Sequence, residues 1–204
     1  LGCNAPQVVS GTQLSGNDPA VPFRLLDQFG QQKTLEDYEG KVILLTFLYT
    51  SCPDICPVVA RHLKTVHKAL GDRDGEVALV MITVDPDRDS MERAYEYSRH
   101  WGMLNHWDFL VGEKHVLEPI WKAYYLAPPE HSDYQGGGSG SEGPYVSEEG
   151  SIGALGGKIS EQYIVSHLAP VYVIGRQGYL RMLFTPPFDP EDLTKYVVSI
   201  LGPK

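Results

Sequence analysis

Two cysteines four residues apart, each followed by proline, make "YTSCPDICPVV", residues 49 to 59, the stretch best equipped for chemistry. If Cys52 and Cys56 sit in the first turn of a helix, they share a face and project their sulfurs together. That turn also carries unbonded backbone N–H groups and the positive end of the helix dipole, which favour thiolate over thiol. Two adjacent thiolates can close a disulfide or hold a soft metal ion; two packed core thiols are the plain alternative. Pro53 holds Cys52 extended and Pro57 is tolerated in a first turn, so the prolines set the entry geometry. Asp54 suits the dipole and reads as structural. In a redox role Cys52, nearer the helix start, is the nucleophile.

The spacing separates these chemistries. A thioredoxin-type motif has two residues between its cysteines and this one has three. A peroxiredoxin would need Thr or Ser three residues before the reactive cysteine, where this chain has Tyr49. Two thiolates leave a soft cation under-coordinated; thiolates with an imidazole suit copper(I), whereas zinc more typically takes four ligands. Seven histidines are available. His62 and His67, five apart on the helix behind the motif, fall on different faces. His100, His106, His115 and His131 have no partner cysteine or carboxylate pattern and read as surface or capping residues. His167 differs: "SHLAP" leads straight into the apolar "VYVI", and loops at sheet ends can converge on a strand-to-helix turn. Position alone leaves open whether it is a ligand or a structural histidine.

The elements that must position these residues follow from periodicity. "KVILLTFLY", from Lys41, is a continuous apolar run of the kind found in a strand covered on both faces. Val59, Leu63, Val66 and Leu70 recur at helical spacing and "GDRDG" ends that helix, so the cysteines lie where a central strand hands over to a helix. "EVALVMITV" is a second buried strand. After "DPDRD", Asp89 and Glu92 have capping-box spacing and open a helix to about Trp101. "WDFLV" is a third strand, and Val116, Leu117, Ile120, Trp121 and Tyr124 mark a helix whose start or straightness Pro119 disturbs. "PFRLLDQFGQQKTL" reads as a β-hairpin around Asp27 to Gly30, and "VYVIGRQGYLRMLF" as two strands on a glycine turn. "DPEDLTKYVVSILG" is a helix capped at Asp189 and stopped at Gly202. The expected fold is an α/β sandwich, a mostly parallel central sheet flanked by helices, with an N-terminal hairpin.

A chain of 204 residues with 42% hydrophobic content supports one domain, expected over 21–204. A net charge of -9 argues against nucleic acid, which requires a basic patch. No apolar run approaches the ~20 residues of a membrane helix. Residues 1–20 are small and polar, an expected tether. The opening "LGCN" matches the end of a lipoprotein signal, with Cys3 as the candidate lipidated residue. Residues 136–157, glycine-rich and without period, are an expected mobile insertion.

The segments "FRLLDQFGQ", "GKVILLTFLYTSCPDICP", "ITVDPDRDS" and "HLAPVYVIGRQGYLR", within residues 22 to 201, resemble the Sco/SenC family of thioredoxin-like copper-binding factors for cytochrome c oxidase assembly. The resemblance implies a thioredoxin-like fold and copper, Cu(I) or Cu(II), on Cys52, Cys56 and His167. It also implies an extracytoplasmic, membrane-tethered domain whose partner is oxidase subunit II. The domain would deliver copper to the copper-A centre or keep that site's cysteines reduced as a thiol-disulfide oxidoreductase, with another copper chaperone as candidate donor. Asp85 matches a family acidic position that would stand behind the metal ligands. The insertion before His167 and Gly175, where the family often has Asp, depart from the pattern.

Overall fold

The computed structural model describes residues 10–124 and 169–203. In chain order the strands are β1 (Thr12–Gln13), β2 (Arg24–Leu26), β3 (Gln32–Thr34), β4 (Val42–Leu48), β5 (Val77–Thr83), β6 (Asp108–Leu110), β7 (Val171–Ile174) and β8 (Leu180–Phe184). The helices are α1 (Ile55–Leu70), α2 (Met91–His100), α3 (Lys114–Ala123) and α4 (Pro190–Leu201). One six-stranded sheet has the order β1-β8-β7-β4-β5-β6. β4, β5 and β6 are mutually parallel, as the crossovers through α1 and α2 require. β7, β8 and β1 complete the sheet antiparallel. Every residue of β4 and β5 is buried, because helices cover both faces. The expected α/β sandwich with flanking helices is the fold observed.

The hairpin β2–β3 pairs antiparallel around Asp27 to Gly30. It docks on the sheet edge through main-chain bonds between Leu26 and Val111 and through Gln28, whose amide donates to the Leu104 and Trp107 carbonyls and accepts from Phe109 N–H. The backbone approach is so close that a Cβ on Gly112 would lie 2.6 Å from Leu25 Cδ2. At the far end Asp189 caps α4 by accepting from Glu191 N–H.

Three local readings differ. Asp89 does not cap α2: Ser90 does, accepting from Arg93 N–H, while Asp89 is buried and engaged elsewhere. α3 runs through Pro119, since the proline faces solvent and the carbonyl it deprives belongs to the exposed His115. Residues 10–20, read as tether, lie along the sheet: β1 pairs with β8, Ala20 N–H donates to Gly178 O, and Ala20 is buried. An exposed β8 edge offers unpaired main-chain groups that an extended polar segment satisfies. Cys3, residues 136–157 and His167 lie outside the described residues.

Candidate metal centre

β4 ends at Leu48, and the chain turns at Tyr49, where the Cys52 N–H donates to the Tyr49 carbonyl at 3.3 Å. α1 begins only at Ile55, after Asp54 at the N-cap. Cys52 therefore precedes the helix, and the two sulfurs do not meet by sharing a helical face as the spacing suggested. Instead, the Cys52 sulfur does the work of a cap: the Asp54 side chain makes no capping bond, and Cys56 N–H donates to Cys52 Sγ at 3.4 Å. A sulfur seated on an orphan N–H at the positive helix end is where negative charge is best tolerated.

Both cysteines are thiols, with Cys52 8% and Cys56 0% exposed, so Cys52 is the outer member of the pair. The pair is electrostatically split. The Cys56 thiol donating to it, followed by the Asp54 and Cys56 N–H groups and the Tyr49 side chain, holds Cys52 down at about 5 against the opposing effect of burial. Burial first, then its bond to Cys52, pushes Cys56 far up. The first proton leaves easily and the second stays, a division belonging to the pair as a whole.

Asp89 is the residue that sequence reasoning missed. Its carboxylate accepts from the Thr50 hydroxyl at 2.6 Å, the Thr50 N–H at 3.2 Å and the Thr83 hydroxyl at 2.6 Å. It thereby ties the cysteine loop to the end of β5. Burial outweighs these bonds and raises its pKa to about 6. The only sequence signal was an acidic residue closing "DPDRD" beside a second strand end, and capping spacing explained it too cheaply.

Asp85 is also buried. Its N–H donates to Thr83 Oγ1, and its carboxylate accepts from Arg88 Nε at 2.5 Å. The Arg88 guanidinium lies 5.8 Å from the centre of the Tyr49 ring. Asp85 thus faces the loop through Arg88, whereas Asp89 bonds to it directly. Behind the site the buried Tyr97 hydroxyl is pushed well above its ordinary pKa, first by burial and then by the nearby Cys56.

β7 arrives at the same end of the sheet. Val171 pairs with Thr46 in antiparallel register, so the start of β7 lies beside the end of β4, and the Thr46 hydroxyl donates to the Pro170 carbonyl at 2.8 Å. Ala169, fully buried, has φ 44°, a left-handed conformation that costs an L-residue about 1–2 kcal/mol. Two thiol groups beyond the carboxyl end of β4 suit a soft cation or reversible disulfide chemistry. Among the other histidines, His62 stacks edge-on against Phe188 and His115 pairs with Glu113 at the surface. His67 and His106, read as separate surface residues, come together.

Known proteins are similar to this chain in sequence and in fold. Over 97 residues, 47% of this chain and 50% of the relative, it is 30% identical to the SCO1 protein homolog of Bacillus subtilis. Over 163 residues, 76% and 50%, it is 32% identical to the mitochondrial SCO2 homolog of Homo sapiens. The chain spans about half the length of these curated relatives. Bradyrhizobium japonicum ScoI with copper bound superposes with a TM-score of 0.65 at 24% identity, covering 89% of this chain and 99% of that one. A SCO1/SenC family lipoprotein from Bacillus anthracis gives 0.70 at 18%, covering 94% and 98%. BsSco, a member of the Sco family of cytochrome c oxidase assembly proteins with an identified disulfide switch, gives 0.63 at 22%, covering 92% and 96%. These likenesses agree with the thioredoxin-like sandwich. The SCO1/SenC family model matches residues 11–140, a span that includes both cysteines and the Asp85–Asp89 loop, and the chain belongs to the SCO1/SenC family.

Proposed function

We propose that the protein is a copper metallochaperone for assembly of the copper-A centre of cytochrome c oxidase subunit II, holding one copper through Cys52, Cys56 and His167. The observation that carries this reading is the thiol pair at the start of α1, with one sulfur already on a backbone N–H and the other buried behind it. The donor set fits: two sulfurs side by side match a soft cation, and copper-bound ScoI shares the fold. His167 is two residues from Ala169, about 7 Å at full stretch. Ala169 enters the strand whose start lies beside the end of β4. The strained φ there is the kind of feature that clusters at functional sites. Bound copper would supply the cargo; the chain's own residues hold the thiolates and exclude water from Cys56. Asp85 acts as a supporting group through Arg88.

The protein works outside the cytoplasm at a membrane, with Cys3 as the lipid-bearing residue and another copper chaperone as donor; a lipoprotein of the same fold supports the anchor. No helix among the described residues is long and apolar enough to cross a membrane.

Anaerobic Cu(I) titration of the reduced chain tests the proposal. One equivalent should bind, uptake should vanish in Cys52→Ser/Cys56→Ser, and affinity should fall in His167→Ala. Absence of one-to-one uptake, or uptake indifferent to these changes, sinks it.

A specific observation favours a second reading, the thiol-disulfide oxidoreductase. The outer thiol is acidified and the inner one held protonated, the arrangement of an attacking and a resolving cysteine. The Cys52 thiolate would attack a disulfide in the copper-A site, expelling one partner thiolate. Cys56 would then displace the second, leaving both partner sulfurs reduced and Cys52–Cys56 oxidised. Cys56→Ser should trap the mixed disulfide with an oxidised copper-A domain; no adduct removes this reading.

A further inference from the structure

We propose that His67, Asp74 and His106 form a second metal site, for a divalent first-row cation such as zinc(II) or copper(II), separate from the thiol pair. The three residues come from different elements: His67 from the last turn of α1, Asp74 from the short 3-10 turn Gly71–Glu76, and His106 from the connection between α2 and β6. His67 Nδ1 lies 2.5 Å from an Asp74 carboxylate oxygen, and the His67 and His106 ring centres are 4.4 Å apart. One donor atom from each of the three falls within 4.8 Å of the others. Donors in a tetrahedral shell with bonds of about 2.0–2.1 Å stand about 3.4 Å apart, so an entering ion replaces the His67–Asp74 hydrogen bond, parting those two atoms by about 1 Å, while the exposed His106 ring turns inward.

Donor chemistry decides the class of ion. Two imidazoles and a carboxylate suit zinc(II) and copper(II), and three protein ligands leave positions for water. The site stands at the carboxyl end of a helix, where the dipole favours positive charge. The nearby ammonium of Lys64 does not compete for the carboxylate, because it donates to the Trp101 carbonyl at 2.6 Å. Asp74 and His106 open on a surface hollow of about 370 Å³, which provides entry. Cys56 is eleven residues earlier on α1, about 16 Å along its axis, so the two sites share no ligand. The site is independent of the function proposed above.

The test uses the full chain carrying Cys3→Ser, Cys52→Ser and Cys56→Ser, so that no thiolate can bind, titrated calorimetrically with zinc(II) and then with copper(II). The expected result is uptake of one ion, with affinity lowered at least about tenfold by His106→Ala or Asp74→Asn and unchanged by His115→Ala. His106 is exposed, so its replacement leaves the fold intact; circular dichroism verifies this for each variant. Binding of zinc alone or copper alone identifies the cation. No uptake of either ion, or uptake indifferent to both His106→Ala and Asp74→Asn, overturns the site and leaves His67 and Asp74 as a hydrogen-bonded pair at the end of α1.

Discussion

Proton affinity at two sulfurs determines what this centre does first. Cys52 is acidified to about 5 from an ordinary 9.0, with the Cys56 thiol as the largest cause. The metal-free, reduced protein should therefore gain one thiolate as the pH rises through about 5, seen in ultraviolet absorbance and in the rate of alkylation at Cys52. Cys56→Ala should move that midpoint upward, because it removes the thiol that donates to the Cys52 thiolate. A single transition near the ordinary thiol value in the wild type would contradict the split pair. The buried Cys56 should resist alkylation throughout, since it is 0% exposed.

At the scale of elements, Asp89 decides whether the cysteine loop keeps its place on β5. Removing its carboxylate leaves the Thr50 N–H and the Thr50 and Thr83 hydroxyls without their acceptor, at a cost of about 1–3 kcal/mol for each group left buried and unbonded. Its pKa is raised from 3.8 to about 6, chiefly by burial. The folded state thus holds this proton more tightly than the unfolded one, and stability conferred by the neutral form is lost as the pH rises from about 4 through about 6. Measured by urea unfolding, wild type relative to Asp89→Asn should lose stability across that window and run parallel above it. A pH-independent difference would mean that Asp89 does not titrate there.

For the molecule as a whole, the sheet brings the ends of three strands to one place. β4 delivers the cysteines, β5 delivers Asp85 and Asp89, and β7 begins beside the end of β4, more than a hundred residues after the cysteines in sequence. The other edge is closed by residues 10–20, which pair with β8 and bury Ala20, while Val21 N–H donates to the Tyr124 hydroxyl. Removal of residues 1–19 should therefore lower unfolding stability by roughly 1–3 kcal/mol and expose a β edge prone to association. A simple tether would make no difference, and a thermal melt with light scattering distinguishes the two.

The order of elements from β2 onward, the buried central strands, the hairpins, the cap of α4 and the cysteine motif at a strand-to-helix junction were legible from the chain, whereas β1, within a polar segment without period, was not. Each depends on short-range periodicity or on a few neighbouring residues. Three things required the tertiary structure: the Cys52 sulfur capping α1 from outside the helix, the carboxylate of Asp89 spanning two strand ends, and the meeting of His67, Asp74 and His106. The first depends on where α1 starts, which the four-residue spacing left open, and the other two join residues whose separation in sequence carries no period and which only the packing of the helices and the sheet brings together. The sequence determined which side chains could do chemistry; the fold decided which of them share a proton or a strand end and which stand together at the end of α1.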